Sequence, residues 1–237
     1  MKLVRYAERP ELIDLRGVLR QTFPEYMSHN EPGPKYWGRL YEEFGEFQLC
    51  LLDGGDPVAE VHSIPIAWDG SLDDLPAGWD EAFVRGVEAR AEPTTLCALV
   101  MSVDPARRGE HLSSFMLNAL RDAARGAGLT GLLAPIRPTR KERYPLIPIE
   151  RYMTWRRDDG RPFDPWQRLH ERVGGTTLAA APGSMTIEAP VADWEEWTGM
   201  EFPDDGEHVF PGALATLVVT GGVGRHVEPN IWMLHSL

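Results

Sequence analysis

The sequence predicts a mixed α/β fold, with a central mixed β-sheet flanked by helices. The apolar runs 94–103 and 129–136 have the length of buried strands, and residues 112–124 between them repeat apolar side chains at steps of three and four. This β-α-β order predicts parallel strands joined by a right-handed crossover. The runs 47–53 and 58–68 are joined by a Gly- and Pro-containing turn, which is typical of an antiparallel hairpin.

The N-terminal quarter is predicted to hold a strand and two helices. Residues 2–7 alternate as a strand does, and Pro10 can open a helix. The apolar stripe of that helix consists of Leu12, Leu15, Leu19 and Phe23, widened by Ile13 and Val18. A second amphipathic stretch covers 36–44, and residues 79–91 have the spacing of a further helix.

The segment 135–165 mixes repeated prolines with arginines, which indicates an irregular basic excursion. It can be a solvated surface or a surface that faces an anion. Beyond it, residues 166–173 are predicted to be helical and 176–187 to form a strand. A short helical turn at 194–197 and a closing strand pair at 213–220 and 226–234 complete the chain.

Composition and charge exclude several classes of protein. The 237 residues carry 24 Lys and Arg against 36 Asp and Glu, a net charge of −12, which argues against binding to a nucleic-acid backbone. With neither a long apolar segment nor an N-terminal apolar run, we expect a cytoplasmic protein that does not enter membranes. Cys50 and Cys97 lie in apolar runs and are expected to be buried thiols. The scattered histidines predict no metal site.

The chemistry is expected at the turn from the strand 94–103 into the following helix. Such a turn presents unpaired backbone N–H groups at the positive end of the helix dipole, which makes an anion site. The turn resembles the acyl-CoA-binding signature of the GNAT superfamily of N-acetyltransferases. The matching positions are Val103, Pro105, Arg108, Gly109, Leu112, Met116 and Leu117, and His111 and Ser113 stand where the family usually has glycine.

The resemblance implies a GNAT-like core at 1–160 that uses acetyl-CoA, or another acyl-CoA, as co-substrate. The implied pyrophosphate site is the backbone of Arg108, Gly109, Glu110, His111, Leu112 and Ser113, with Ser114 as an extra donor. The backbone of Met101 and Val103 would contact the acyl carbonyl and the pantetheine. Residues 161–237 are expected to be a C-terminal extension of the same domain that completes or covers the sheet.

The resemblance also implies a tyrosine that gives a proton to the departing thiolate. Tyr144 falls at the expected distance after the strand 129–136, with Tyr152 as second choice. For the general base, Glu60 and His62 are two residues apart on one strand and therefore point to the same face. Cys97 is expected to be a core thiol without a role in covalent catalysis.

These features favour an N-acyltransferase that moves an acetyl group to a small-molecule amine by direct attack. Two alternatives remain open. One is an enzyme acting on acyl groups bound to a carrier protein, by transfer or decarboxylation, and the other is a non-catalytic acyl-CoA-binding module. We expect no nucleic-acid or membrane partner, and a homodimer is possible.

Overall fold

A computed structural model describes residues 1–15, 19, 22–89 and 91–237, and its strands join in one sheet. The nine strands in this part of the chain are β1 (Lys2–Arg5), β2 (Leu49–Asp53), β3 (Asp56–Ile66), β4 (Thr95–Val103), β5 (Gly131–Ile136), β6 (Thr176–Pro190), β7 (Gly206–His208), β8 (Leu217–Thr220) and β9 (Val223–Ser236). Their order is β1-β2-β3-β4-β5-β9-β8-β7, and β6 also pairs with β9. All of these pairs are antiparallel except β4–β5.

Helices cover both faces of the sheet. They are α1 (Pro32–Glu43), α2 (Trp79–Glu88), α3 (Leu112–Gly126), α4 (Ile149–Tyr152), α5 (Pro165–Arg172) and α6 (Val191–Thr198). Neighbouring residues of a strand point to opposite faces. Leu133 accordingly packs with residues of α1, α2 and α6, whereas Leu132 packs with α3, and Ala134 packs with α4. None of the described helices is long and apolar enough to cross a membrane.

The predicted mixed α/β fold is confirmed. β4 and β5 pair in parallel around α3, and β2 and β3 form the predicted antiparallel hairpin. The C-terminal pair β8–β9 is antiparallel, as expected. The sequence did not indicate the three-residue β7 or the full length of α6.

The first predicted helix differs from the structure. Pro10–Leu15 forms a 3-10 helix that buries Leu12 against a small cluster at the edge of the sheet, with Val4 and Leu52. Leu15 is exposed and Leu19 is buried, whereas Val18 lies outside the described residues. Among the described residues of the predicted stripe, Leu12 and Leu19 are therefore buried as expected, whereas Leu15 and Phe23 are exposed.

β9 joins the two halves of the chain. One of its edges pairs with β6, and its other edge pairs with β5 through residues 231–236 and with β8 through residues 223–226. Between these two stretches, residues 227–230 have no strand partner on that edge within the described sheet. The boundary at residue 160 stays a prediction, because both sides of it contribute to the same sheet.

A close backbone contact between α2 and β6 gives a test of the packing. A Cβ atom at Gly78 would lie 2.1 Å from the Cα of Ser184, so Gly78→Ala should lower the free energy of unfolding by about 2–3 kcal/mol. The control is Gly38→Ala in α1, where nothing lies within 4 Å of the added atom, and a gain of about 0.5–1 kcal/mol is expected. Urea unfolding measures the free energy of unfolding of both variants. Equal changes in the two variants would contradict the close contact between Gly78 and Ser184.

Candidate active site

An opening between β4 and β5 forms the centre of the site. The two strands pair only from Thr95 with Gly131 to Cys97 with Leu133, although β4 continues to Val103 and β5 to Ile136. Beyond this short register, the facing backbone edges of β4 and β5 are not paired with each other. The sheet therefore opens at the C-terminal ends of its two parallel strands, where ligands of such sheets usually bind.

A β-bulge in β4 contributes to this opening. His62 of β3 is paired with Val100 and Ser63 with Ala98, so Leu99 is the extra residue. The indole N–H of Trp79 donates to the Leu99 carbonyl at 2.7 Å. A bulge bends its strand and increases the local twist. Trp79 therefore fixes the backbone of β4 at the point where the strand leaves β5.

The turn after β4 exposes backbone N–H groups toward the opening. Asp104 accepts from the Ala106 N–H at 2.9 Å, and Gly109 has a positive φ of 93°. The first bond of α3 runs from the Phe115 N–H to the His111 carbonyl, so the N–H groups of residues 112–114 have no acceptor within the helix. These N–H groups are the donors that the predicted anion site would use.

His111 is left-handed, with φ 60° and ψ 19°, and exposed. This conformation explains why glycine is usual at its position, since a left-handed backbone costs another residue about 1 kcal/mol or more.

The charged side chains of the turn are divided between two roles. Arg107 binds Glu110 at 2.7 Å and Asp53 at 2.9 Å, and its hydrogen bond lowers the pKa of Glu110. Arg108 is exposed and lines the cavity described next. The positive charge available to a ligand at this turn therefore comes from Arg108.

A cavity of about 640 Å³ passes through the opening. On the α3 face it is lined by Arg108, Ser113 and Leu117. At the level of the sheet it is lined by β4 from Ala98 to Val103, which includes Met101, and by the end of β5. On the α1 face its wall contains Thr22, Phe23, Glu25, Asn30, Trp37, Trp79 and Asn230. One continuous space therefore connects the predicted anion site with the opposite face of the sheet.

A buried charged network borders the cavity beside residues 227–230 of β9. Arg137 donates through Nε to Glu228 Oε1 at 2.5 Å and through Nη2 to the Tyr26 hydroxyl at 3.2 Å and the Gly212 carbonyl. His226 Nε2 lies 2.7 Å from Glu228 Oε2. Burial opposes ionisation of this carboxyl, but Arg137 and His226 hold the pKa of Glu228 below its usual range. Arg137 also lines the cavity.

The two candidate bases lie together, as expected. Glu60 and His62 are fully buried, with His62 Nε2 3.4 Å from Glu60 Oε2, and Tyr6 donates to the same oxygen at 2.8 Å. Neither side chain is part of the cavity wall. Glu60 is paired across the strands with Ser102, which lines the cavity and whose hydroxyl lies 2.8 Å from that of Thr22.

The candidate proton donors lie away from the cavity wall. The Tyr144 ring packs in an aromatic cluster, with centroid distances of 4.9 Å to Trp155 and 5.9 Å to Phe163. Tyr152 is buried in the same cluster and donates to Asp164 at 2.9 Å. Burial and the adjacent Asp164 raise the pKa of Tyr152. The role of either tyrosine as proton donor stays a prediction.

Several residues of the site were not expected from the sequence. Glu228 and Asn230 lie near the end of β5 only because β9 passes it, and the chain gives no local pattern for that. Arg137, in contrast, belongs to the basic segment 135–165 that the sequence offers as a surface facing an anion. His170 of α5 also lines the cavity, beside Leu117 and Ala134. Among the described residues, no group of three or more His, Cys, Asp or Glu side chains could hold a metal ion.

Comparison with known proteins identifies the family. No protein-family model matches the sequence. The arginine N-acetyltransferase avaD of Aspergillus versicolor is 30% identical in an alignment of 269 residues. The alignment covers 98% of this chain and 92% of the relative.

Among solved structures, the loading GNATL domain of CurA from Lyngbya majuscula has a TM-score of 0.63 at 15% identity, covering 99% of this chain and 96% of that one. The GphF GNAT-like decarboxylase in complex with isobutyryl-CoA has a TM-score of 0.62 at 18% identity, covering 100% and 99%. The two structures share the fold, and the relative from Aspergillus matches nearly the whole chain in sequence. The chain therefore belongs to the GNAT superfamily and is an acyl-CoA-dependent N-acetyltransferase.

Proposed function

We propose that this enzyme transfers an acetyl group from acetyl-CoA to an amino group of arginine, or of a small molecule with the charged groups of arginine, by direct attack. The observation that carries the proposal is the continuous cavity through the opening between β4 and β5. A cavity that reaches both faces of the sheet can hold the cofactor and the acceptor at the same time. Direct transfer requires that arrangement, because the amine must reach the thioester carbon.

A covalent acyl-enzyme is disfavoured by the state of the cysteines. Cys50 and Cys97 are buried, and burial raises the pKa of the Cys97 thiol. The thiolate is the reactive form of cysteine, and a buried thiol does not supply it.

For the cofactor, we assign the α3 face of the cavity. The N–H groups of Gly109 and of residues 111–114, which donate to no backbone carbonyl of the described chain, would bind the pyrophosphate, with Arg108 adding charge. The backbone of Met101 and Val103 follows along the unpaired edge of β4, where the pantetheine amides can bond to it. Glu110 is the exception in the expected set, because its N–H donates to the Arg107 carbonyl at 3.4 Å and its carboxylate is bound to the Arg107 side chain.

The opposite half of the cavity suits a small zwitterionic acceptor. Of the N–H groups of Arg137, those on Nη1 have no bond to the described residues, so they are available to a carboxylate. Glu25 lines the same half and can attract a guanidinium group. The similarity to an arginine N-acetyltransferase points to the same class of acceptor.

We assign the removal of the ammonium proton to Glu60 and His62. An alkyl amine is protonated at neutral pH and attacks only after losing a proton. The hydroxyls of Ser102 and Thr22 lie at the cavity wall, and Ser102 is opposite Glu60. A proton can therefore pass from the cavity through a hydroxyl to the buried pair.

A negative charge added at the turn tests the cofactor site. Ser113→Asp places a carboxylate where the pyrophosphate would bind, so we expect the dissociation constant of acetyl-CoA to rise at least about tenfold. The fold should be retained, because an acidic residue in the first turn favours a helix. Asn118→Asp is the control, since it adds the same charge five residues later on α3 and outside this cavity. Calorimetric titration measures both, and equal affinities would contradict the assignment.

An acceptor panel tests the substrate class. We expect acetyl-CoA-dependent thiol release with L-arginine. Agmatine lacks only the carboxylate, and we expect its KM to be at least about tenfold higher, because a charge-assisted hydrogen bond contributes roughly 1.5–3 kcal/mol. Identification of the acetylated product by mass spectrometry accompanies the assay. Release only with an acyl-loaded carrier protein would favour the carrier alternative, and cofactor binding without release would favour a non-catalytic module.

The base is tested with Glu60→Gln, which keeps the size of the side chain but cannot accept the proton. At neutral pH we expect kcat/KM for the amine to fall about tenfold or more, while the dissociation constant of acetyl-CoA is unchanged. The loss should shrink as the pH rises, because a growing fraction of the amine is then already deprotonated. Tyr6→Phe is the matched variant, since it removes a hydrogen bond from Glu60 and leaves the carboxylate in place. Equal activity of Glu60→Gln and wild type would remove Glu60 from the mechanism.

A further inference from the structure

Two buried histidines meet on the α3 face of the sheet. His170 Nδ1 of α5 lies 2.9 Å from His235 Nε2 of β9, and the residues are 2% and 0% exposed. The other nitrogens of the pair, His170 Nε2 and His235 Nδ1, have no hydrogen-bond partner within the part of the chain that the structure describes. A buried polar atom without a partner costs about 1–3 kcal/mol, so such atoms call for an explanation.

The position of His170 gives an explanation for its unpartnered nitrogen. His170 lines the cavity beside Leu117 of α3 and Ala134 of β5, where the cavity passes between β4 and β5. The Trp166 ring packs edge-on against the imidazole, with centroids 4.8 Å apart. Asp164 caps α5 by accepting from the Trp166 N–H at 2.9 Å. The imidazole is thus held by Trp166 and His235, and Nε2 is the ring nitrogen without a partner among the described residues.

The pair is neutral in the resting enzyme. Burial lowers the pKa of His170 to about 3, with His235 adding to the effect, and burial lowers the pKa of His235 to about 4. A neutral imidazole offers one donor and one acceptor, so Nε2 of His170 can accept a proton when Nδ1 donates to His235. An anion that forms beside Nε2 favours the protonated ring, because an opposite charge stabilises the imidazolium.

We propose that His170 carries the proton from the attacking nitrogen to the departing sulfur of CoA. This inference rests on the proposed acetyl transfer. After attack, the nitrogen bonded to the acetyl carbon still holds an extra proton, which His170 Nε2 takes as the N–H bond breaks. When the C–S bond breaks, the sulfur leaves with the electron pair and receives that proton from Nε2. The imidazole returns to its neutral state, and no further reactant is needed.

His235 is a positioning residue in this scheme. Its Nε2 accepts the hydrogen bond from His170 Nδ1–H, which fixes the ring orientation and stabilises the transient imidazolium. The proton that His170 carries differs from the one assigned to Glu60 and His62. Those residues deprotonate the free ammonium before attack, on the other face of the sheet.

The test compares His170→Gln with wild type and with His208→Gln, a control that lies outside the cavity wall. We expect kcat of His170→Gln to fall about 100-fold, within the usual range for general acid–base groups, while the dissociation constant of acetyl-CoA and the melting temperature stay near those of wild type. His208→Gln should keep full turnover. Full turnover of His170→Gln overturns the inference, and so does a large loss in Tyr144→Phe without one in His170→Gln.

Azole rescue of His170→Ala separates chemistry from packing. Imidazole and pyrazole have nearly the same shape, but pyrazole is a much weaker base. We expect imidazole to restore kcat at least about tenfold and pyrazole to have no effect. Equal restoration by both compounds would show that His170 only fills space. An inactive wild-type enzyme would contradict the proposed function itself, whereas an active wild type with an equally active His170→Gln contradicts this inference alone.

Discussion

The structure depends on one short parallel register between β4 and β5. Only three residue pairs join these strands, from Thr95–Gly131 to Cys97–Leu133, and both strands then continue apart. The β-α-β connection forces them to be parallel, while the bulge at Leu99 and the Trp79 hydrogen bond direct β4 away from β5. The cavity, its backbone hydrogen-bonding groups and the access to both faces of the sheet all follow from this divergence.

The fold could be predicted well where the signal is local. The β-α-β unit, the hairpin and the turn at Arg108 and Gly109 each lie within a short stretch, so periodicity and turn chemistry were sufficient. Helical spacing predicted the burial of Leu12 but not the exposure of Leu15, because it does not show how much surface the neighbouring strands offer to the segment from Pro10. The length of α6 and the three-residue β7 also depend on packing with distant strands.

The site could be predicted only in part, for a related reason. The cofactor turn is continuous in sequence, and Glu60 with His62 follows from strand alternation. The pairs Arg137–Glu228 and His170–His235 bring together residues separated by many strands and helices. A single sequence contains no pattern that predicts these long-range contacts. Likewise, the expected distance from β5 to Tyr144 assumed a regular helix, whereas the proline-rich excursion places that ring in an aromatic cluster.

The net charge of the protein does not show how its charged side chains are placed around the cavity. Within a chain of net charge −12, Arg108 lines the half of the cavity proposed for the cofactor, and Arg137 lines the half proposed for the acceptor, with its charge largely balanced by Glu228. An ion pair of this kind keeps a guanidinium group oriented in a poorly solvated place. It gives the cavity directional donors with little net positive charge.

Because β9 pairs on both of its edges, the sheet cannot be completed until this strand has been synthesised. β5 is synthesised long before β9, so its outer edge has no partner while the excursion, α5, β6 and α6 are being made. An uncovered edge invites pairing with other chains, and contacts between distant segments form slowly. The outer edge of β5 in a nascent chain therefore stays exposed to incorrect pairing until β9 has been synthesised. The same strand contributes Asn230 to the cavity wall, so the wall is complete only once β9 is in place.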